Sequence, residues 1–192
     1  MGDIKRPSKK YSSPSHPWQK ARLDFESQIR KEYATGNKTE IWKMNSILRT
    51  FLKIAKKLSS QRTAQEKLEK EQLVARVKKY GLINANGDLK DILNLGLKDI
   101  MERRLQTLVF RKGFAHSCKQ ARQFVTHKHI IVDGKIITSP SYLVPVGQEN
   151  KISFSQRSAL SSESHPERTK EKFEKVKTAE TKVQETKAKV EA

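Results

Sequence analysis

One dipeptide constrains the fold of this chain more than any other feature: Asp133-Gly134 stands between two runs of β-branched residues. Residues 130–132 precede it and residues 136–137 follow it. A two-residue hairpin loop needs positive φ at both central positions, and Asp-Gly is one of the pairs that adopts this backbone most readily. The sequence therefore predicts a β-hairpin here.

A short helix is predicted directly before the hairpin, from Cys118 to about His127. Ser117 is followed three residues later by Gln120, which is the spacing of a capping box. On a helical wheel the residues separate into an apolar face that should pack and a polar face that is free to bind. The apolar face holds Cys118, Ala121, Phe124 and Val125, and the polar face holds Lys119, Arg122, Gln123 and Thr126.

Two segments after the hairpin also have strand character. Residues 142–146 and residues 151–154 flank a turn at 147–150. Together with the hairpin they predict a small antiparallel sheet. Two short helices packed on such a sheet give an α+β unit of about 50 residues, which is small but sufficient for an independent fold.

The region before this unit is predicted to be helical. Trp18, Phe25, Ile29 and Tyr33 recur at helical spacing up to the breaker pair Gly36-Asn37. A second helix should begin after residue 39, and its broad apolar stripe is expected to face the core. The stripe consists of Ile41, Met44, Ile47, Leu48, Phe51, Leu52, Ala55 and Leu58.

Further helical segments follow. Residues 63–80 form a charged helical stretch that ends at Gly81, a residue suited to a helix C-terminus. Residues 84–87 are typical of a turn. Residues 97–111 have apolar side chains at helical spacing, and Lys112-Gly113 should end that helix.

Charge points to the class of partner. The 192 residues contain 40 Lys and Arg against 21 Asp and Glu, a formal net charge of +19, which attracts polyanions such as nucleic acid. No apolar run approaches the roughly 20 residues that span a bilayer, so no membrane partner is expected. The N-terminus does not resemble a secretory signal, and Cys118 is the only cysteine, so a cytoplasmic protein without disulfides is expected.

Neither end of the chain is predicted to belong to a packed domain. Residues 1–17 are basic, rich in Ser and Pro and poor in large apolar side chains, which indicates an RNA-binding arm. Its cations are Lys5, Arg6, Lys9 and Lys10. Residues 156–192 are predicted to be a charged, flexible tail, although their alternating charges also suit an exposed helix.

Most of the sequence resembles a known protein family. RRLQTLVFRKGFAHSCKQARQFVTHKHIIVDGKIITSPSYLVPVGQENKISF, residues 103–154, closely resembles the RNA-binding module named after small-subunit ribosomal protein S-four. GFAHSCKQARQFVTHKHIIVDG followed by SPSYLV resembles the archaeal and eukaryotic form of that ribosomal family. MGDIKRPSKKYSSPSHPW and NKTEIWKMNSILRTFLKIAKKL resemble the same form, so the likeness covers about residues 1–154.

The resemblance implies an organisation and a function. Composition, periodicity and the resemblance together predict an arm at 1–17, a helical region at 18–102, the RNA-binding module at 103–155 and a tail at 156–192. The resemblance implies a structural constituent of the small ribosomal subunit that binds folded ribosomal RNA, nucleates assembly and contributes to translational accuracy. Neighbouring ribosomal proteins and nearby messenger RNA are implied partners, without a small-molecule substrate or cofactor.

The resemblance also implies a set of RNA-binding residues. Arginine can hold a phosphate with two parallel hydrogen bonds, lysine supplies a mobile charge, and glutamine or histidine can reach 2′-hydroxyls and base edges. Most of these contacts should recognise RNA shape. The implied residues are Arg103, Arg104, Arg111 and Lys112 from the first helix of the module, Lys119, Arg122 and Gln123 from the second, and His127, Lys128 and His129 beyond it.

The sequence departs from the family pattern in two places. Asp133 stands where many relatives have Asn before the turn glycine, and Lys128 stands where bacterial relatives usually have Gly. Some bacterial members hold zinc through cysteines in the N-terminal region, but no cysteine precedes Cys118, so zinc is not carried over.

Several other side chains are compatible either with chemistry or with ordinary packing. His127 and His129 could form a metal pair, but no cysteine or carboxylate partner is evident, so no metal is predicted. Cys118 beside His116 could suggest a nucleophile, but Cys118 lies on the apolar face, which favours a buried small side chain. Phe114 and Tyr142 could stack on bases, although core packing is favoured for both.

Two other functions are compatible with parts of the sequence. An enzyme such as a pseudouridine synthase or a tyrosyl-tRNA synthetase can use the same module, but it would need a separate catalytic domain of about 150 residues or more. Here about 100 basic, mostly helical residues precede the module, so no enzyme is predicted. A basic DNA-binding protein is permitted by composition alone.

Overall fold

The structure is a computed structural model that describes residues 9–60, 63–84, 86–162, 165 and 167. Lys5 and Arg6 of the predicted arm, and most of the predicted tail, lie outside the described residues. Helices α1 to α8 span Lys20–Glu32, Lys38–Leu58, Ala64–Lys79, Leu89–Leu93, Leu97–Glu102, Leu105–Arg111, Cys118–Thr126 and Val146–Glu149. Strands β1 to β3 span Ile130–Val132, Lys135–Ile136 and Ile152–Phe154, and a 3-10 turn spans Ala159–Ser161.

The apolar stripe of α2 lies at the centre of the helical region and faces its core, as the sequence predicts. Its N-terminal half packs against Ile29 of α1, against Tyr33 directly after that helix, and against Ile100 and Met101 of α5. Its C-terminal half, around Phe51, packs against α3 and α4. One helix therefore serves two apolar clusters, because its stripe is wide enough to contact neighbours on both sides.

The first predicted helix begins later than its apolar spacing suggests. Trp18 is 88% exposed and precedes α1, and Phe25 is 44% exposed. Only Ile29 and Tyr33 of that set are buried. The spacing therefore indicated the helix correctly but not its buried face.

Helix α3 has the ends that its sequence predicts. Thr63 Oγ1 accepts the backbone N–H of Glu66 (3.3 Å), and the Glu66 carboxylate accepts the N–H of Thr63 (3.1 Å), which forms a capping box. At the other end Gly81 has φ +63°, and the N–H of Leu82 bonds to the carbonyl of Val77. This is a Schellman motif, which needs the left-handed backbone that glycine adopts without a steric cost.

The helical segment predicted over 97–111 is divided in two. Arg104 forms an isolated β-bridge with Leu143, and the N–H of Leu105 donates to the carbonyl of Tyr142 (2.8 Å). The N–H of Val144 donates to the carbonyl of Arg103 (3.0 Å). Residues 142–144 thus form hydrogen bonds with backbone groups that would bond to one another in a continuous helix. Helix α5 therefore ends before Arg103.

The predicted hairpin is confirmed. Strand β1 lies between β2 and β3 in an antiparallel sheet, and Val132 pairs with Lys135 across the turn. Asp133 and Gly134 have φ of +51° and +76°, as a two-residue turn of this kind requires.

The strand predicted over 142–146 is wrong. Only Leu143 in that segment makes a bridge, and residues 146–149 form the short helix α8. Pro145 has no backbone N–H to donate to a sheet, and its carbonyl accepts the N–H of Gln148 (3.0 Å) at the start of α8. The α+β class predicted from the sequence is nevertheless correct.

The module formed by α6, α7 and the sheet has its own apolar core. Phe124, Val125, Ile130 and Ile152 are buried there, and Phe114 packs edge-on against Phe154 at 5.2 Å.

Packing extends beyond the predicted start of the tail at residue 156. Leu160 is 5% exposed and lies in the same apolar core. The N–H of Ser155 donates to the carbonyl of His129 (2.8 Å), which extends the pairing of β3 with β1, and the N–H of Ser158 donates to the carbonyl of Ser155 (2.9 Å) in the turn that follows. Among the described residues, no helix has both the length and the apolar character that a membrane crossing requires.

Candidate nucleic-acid interface

Helix α7 presents the polar face predicted for it. Ala121, Phe124 and Val125 are buried, whereas Lys119 and Gln123 are exposed. The face consists of Lys119, Arg122, Gln123 and Thr126, and we call it the α7 face. Its rigidity comes from the opposite side of the helix, which is anchored in the module core.

The start of α7 is capped, but not in the reciprocal way that the sequence predicts. Ser117 Oγ accepts the N–H of Gln120 (3.2 Å). Gln120 Oε1 accepts the N–H of His116 (2.6 Å), one residue before the cap. The two side chains therefore hold the loop before the helix as well as its first turn.

The end of α7 places a lysine in a strained backbone. The N–H of Lys128 donates to the carbonyl of Val125 (3.2 Å), and the N–H of His129 donates to the carbonyl of Phe124 (3.0 Å). These two bonds form a Schellman motif, in which the position of Lys128 is usually occupied by glycine. Lys128 has φ +65°. A left-handed backbone costs a residue with a Cβ roughly 1–2 kcal/mol. Lys128 has this unfavourable backbone at a position that places an exposed cation next to the α7 face.

The two histidines beyond α7 differ in their surroundings. His129 Nδ1 lies 2.7 Å from Ser158 Oγ, and its ring packs edge-on against Phe124 with a centroid distance of 6.1 Å. His127 is exposed, 6.4 Å from His129 between ring centroids. His127 is thus available to a ligand, whereas His129 mainly holds the segment around Ser158 against the module.

Glu40 of α2 binds two arginines of the module. Arg104 Nη2 donates to Glu40 Oε2 at 2.5 Å, and Arg122 donates to both carboxylate oxygens at 3.2 and 2.9 Å. The Arg104 side chain is 1% exposed and that of Arg122 is 34% exposed. Burial acts to raise the pKa of Glu40, but the hydrogen bonds from Arg122 and Arg104 outweigh it and hold the pKa below its ordinary value.

This arrangement changes the role of Arg104. A guanidinium that is almost fully buried against Glu40 is not presented to phosphate, so the structure does not support the RNA contact predicted for Arg104. Arg103 is similar, since its half-buried guanidinium donates to Glu149 (3.0 Å) and to the carbonyl of Val144 (3.4 Å). The residue types alone did not distinguish these structural cations from surface cations.

Three further predicted cations are exposed or half-buried but have protein partners. Arg111 donates to both oxygens of Glu102 at 3.2 and 2.8 Å. Lys112 donates to the carbonyl of Glu149, and Arg122 belongs to the Glu40 pair. In contrast, Lys119 and Lys128 form no ion pair with a described residue, so their ammonium groups are available to a ligand.

The described part of the N-terminal arm lies along α2. The N–H of Ser12 donates to Ser46 Oγ (3.1 Å), and the Tyr11 ring lies 6.0 Å from Trp42. Lys9 and Lys10 are exposed. Lys10, Arg49 and Lys53 line a shallow groove together with hydroxyl side chains, which makes a second basic surface on the helical region.

Sequence reasoning missed one set of basic residues. Arg30 and Lys31 of α1 line a cleft together with Lys119 of α7. Apolar spacing identifies α1 as a helix but does not indicate which other segment lies beside it. Only the tertiary structure brings these cations together.

The remaining candidate chemistry is limited. Over the described ranges, no three His, Cys, Asp or Glu side chains are placed to hold a metal ion. Cys118 is half-buried, and burial raises the pKa of its thiol, which disfavours the reactive thiolate. Tyr142 is partly buried against the module core, and its hydroxyl donates to Gln148 Oε1 (3.0 Å), so it is not presented for stacking on a base.

Comparison with known proteins identifies similarities over most of the chain. The S4 domain family matches residues 103–150. The small ribosomal subunit protein uS4 of Methanococcus aeolicus is 51% identical over 170 residues, covering 88% of this chain and 96% of that protein. Proteins of the same name from two strains of Methanococcus maripaludis, C5 and C7, are 45% and 46% identical with the same coverage.

Proposed function

The chain belongs to the small ribosomal subunit protein uS4 family, and on that premise we propose that it is a structural constituent of the small ribosomal subunit that binds ribosomal RNA through the α7 face and the turn after it. The module supplies the rigid support, and the exposed side chains supply the contacts. The proposed contact residues are Lys119, Gln123, His127 and Lys128, with Arg122 at the edge and Lys9 and Lys10 on the arm.

One observation carries the proposal for this surface. Lys119 and Lys128 flank the exposed side of α7 without an ion pair to any described residue, and Lys128 keeps an unfavourable backbone conformation in which glycine would be easier. Strained residues persist where their position serves a function. Phosphate groups lying along this side of the helix would balance their charge.

The chemistry favours recognition of RNA shape. Lysines contact phosphates through a mobile point charge and carry little sequence information. Gln123 and His127 can bond to 2′-hydroxyls, which distinguish RNA from DNA. We therefore expect the chain to prefer folded RNA with closely placed backbone segments over duplex DNA of the same charge.

The proposal extends to partners and location. A constituent of the small subunit contacts ribosomal RNA and neighbouring ribosomal proteins in the ribosomes of the cytoplasm. The family resemblance supports an early role in assembly, proximity to messenger RNA and a contribution to translational accuracy. Omission of the chain from reconstitution of the subunit should then lower the yield of complete particles, and a normal yield would contradict the early role.

The proposal excludes turnover. A purified chain incubated with small-subunit ribosomal RNA should form no pseudouridine, because no catalytic role is assigned to its residues. Detection of turnover would favour an enzyme that uses the same module.

Competition binding tests the interface directly. Affinity for a full-length small-subunit ribosomal RNA transcript should exceed affinity for duplex DNA at equal salt. The Lys119→Ala/Lys128→Ala variant should reduce the slope of log K against log salt by roughly 1.5, since each lost phosphate contact removes about 0.7 to 0.9. Alanine at residue 128 keeps the Cβ, so the strain and the free energy of unfolding should change little.

The matched control removes the same charge elsewhere. Lys67 and Lys79 are exposed on α3, away from the α7 face. Lys67→Ala/Lys79→Ala should leave the slope almost unchanged. Equal effects of the two double variants would mean that the chain attracts RNA only through its net charge.

A further inference from the structure

Two aromatic side chains at the start of α1 are exposed in the described structure. Trp18, just before the helix, is 88% exposed, the largest fraction among the large apolar side chains of the described residues. Phe25, in the second turn, is 44% exposed. Seven residues of helix rise only about 10 Å, so a single protein partner reaches both rings. Exposed aromatic rings this close together indicate an interaction site, whereas single exposed apolar residues do not.

The exposure of Trp18 does not come from a loose chain end. Arg22 Nη2 donates to the carbonyls of His16 (3.2 Å) and Pro17 (2.7 Å), directly before Trp18. Arg22 is in turn paired with Glu26, which is 5% exposed and belongs to the buried side of α1. These contacts fasten the turn before the helix to its first two turns. The indole ring is therefore exposed on a backbone whose position is fixed.

A local packing role does not account for Trp18. An apolar residue before a helix cap often packs against the fourth residue of the helix, which here is Leu23. A tryptophan in that role would bury much of its ring against Leu23, whereas this ring is almost fully exposed. Trp18 therefore contributes little to the stability of the free protein.

The side of α1 that carries Phe25 differs in charge from the rest of this basic chain. On a helical wheel two carboxylates lie beside Phe25, and no Lys or Arg lies among them. Asp24 forms no ion pair with a described residue, and Glu32 forms one with Lys98 of α5 (3.4 Å). We call this surface the α1 outer face, and it consists of Trp18, Ala21, Asp24, Phe25, Gln28 and Glu32.

This composition disfavours the RNA backbone as the occupant. Lys20 and Lys31 lie only at the edge of the α1 outer face, and a phosphate over the face would meet the Asp24 carboxylate. Sites that stack aromatic rings on bases combine those rings with cations along the backbone. Protein interfaces instead use aromatic anchors as their strongest contacts, within a polar rim. The α1 outer face therefore fits a protein.

We propose that the α1 outer face docks a neighbouring protein of the small subunit, whose apolar pocket receives Trp18 and Phe25 and whose Lys or Arg rim faces Asp24. This inference rests on the proposed function, because only a subunit constituent has such neighbours. Proteins that bind ribosomal RNA carry an excess of Lys and Arg, which is the charge that Asp24 attracts. The contact is separate from the RNA contacts proposed for α7.

Competition for assembly into the subunit tests the docking. Equal amounts of isotopically labelled wild type and unlabelled Trp18→Ala/Phe25→Ala are mixed with the ribosomal RNA transcript, either alone or with the purified remaining small-subunit proteins. Mass spectrometry of the isolated particles gives the ratio of the two chains. With RNA alone the ratio should stay near one. With the proteins present, the variant should fall at least about tenfold, as expected for the loss of a central tryptophan anchor.

The matched control removes an exposed apolar side chain elsewhere. Leu68 is 54% exposed on α3, and Leu68→Ala should compete equally with wild type in both mixtures. Incorporation of Trp18→Ala/Phe25→Ala equal to that of Leu68→Ala would overturn the inference. Failure of the wild type to enter particles would instead refute the proposed function.

Reversing one charge separates a protein partner from RNA. Asp24→Arg adds a cation, so it should bind RNA alone at least as tightly as wild type. A basic partner should repel it and lower its incorporation about fivefold when the proteins are present. Glu71→Arg, at an exposed position of α3, is the control for an added cation. A gain for Asp24→Arg in both mixtures would mean that RNA covers the face, and the inference would be wrong.

Three measurements on simpler systems exclude the other occupants. Weaker binding of Trp18→Ala/Phe25→Ala to RNA alone would mean that the rings stack on bases, which overturns the inference. A buried ring reported by Trp18 fluorescence in the free Trp42→Phe chain would mean that the tail or a second copy covers the face, with the same consequence. Thermal melts of the aromatic variant should match wild type, and a lower melting temperature would show a packing role instead.

Discussion

Glu40→Gln is expected to destabilise the protein strongly, although it replaces only one oxygen by an NH₂ group. Glu40 holds Arg104, whose side chain is 1% exposed, and Arg122 on α7. The substitution leaves the Arg104 guanidinium buried without a counter-charge. Because Arg104 directly precedes α6 and Glu40 belongs to α2, the change also loosens the module from the helical region.

The structure sets the magnitude. Removing one partner of a buried ion pair costs about 3–5 kcal/mol, because the other charge stays desolvated and unpaired. Glu40 is 17% exposed on its side chain and glutamine can still accept one hydrogen bond, so the lower end applies. With a urea dependence of about 2 kcal/mol per molar, a loss of about 3 kcal/mol lowers the unfolding midpoint by roughly 1.5 M.

Urea unfolding followed by circular dichroism measures this loss. Glu71→Gln is the control, because Glu71 is exposed on α3 and should tolerate the same change within about 0.5 kcal/mol. Adding Arg104→Met to Glu40→Gln should restore part of the stability, since it removes the unpaired charge. A midpoint for Glu40→Gln equal to that of the control would refute the reasoning.

The same pair predicts a pH dependence. The pKa of Glu40 lies below its ordinary value of 4.5, so its contribution to stability is complete above that value and is lost as the pH falls through the lowered pKa. The stability difference between wild type and Glu40→Gln should therefore shrink below about pH 4.5. A difference that stays constant to pH 3 would show that the carboxylate charge is not responsible.

Three further variants test individual features by urea unfolding. Gly81→Ala and Gly113→Ala both place a Cβ at positive φ, but only the first would meet a neighbour, 2.5 Å from Val146 Cγ2, so it should cost at least about 1 kcal/mol more; equal losses would contradict this steric account. Leu160→Ala should cost about 2 kcal/mol by opening a cavity in the module core, and a change within about 0.5 would place Leu160 outside it. Lys128→Gly should raise stability by about 1 kcal/mol and weaken RNA binding, and a fall in stability would argue against strain at this residue.

Local chemistry explains which elements could be predicted from the sequence. The Asp133-Gly134 turn, the Ser117 cap, the end of α3 at Gly81 and the apolar stripe of α2 each depend on residues within a few positions of one another. Turn geometry and the 3.6-residue period act over that range, so the sequence indicates them directly. The polar face of α7 follows from the same period.

Elements that depend on distant partners were not predictable in this way. The division between α5 and α6 arises because residues 142–144 bond to the backbone of residues 103–105. Leu160 is part of the core because the chain turns at residues 155–158 and so brings it against α7 and the sheet. In both cases the contacting residues are far apart in the sequence, so no local pattern predicts the contact.

The candidate site likewise has features that the local sequence predicts and features that depend on tertiary contacts. The sequence by itself determined that the chain is basic, that α7 has a packed face and a polar face, and that a tight hairpin follows it. Only the tertiary structure decided which cations are available, because burial of Arg104 against Glu40 and the meeting of Arg30 and Lys31 with Lys119 depend on how separate helices pack. Residue type defines the charge of a side chain, whereas its exposure and its ion-pair partners are properties of the folded chain.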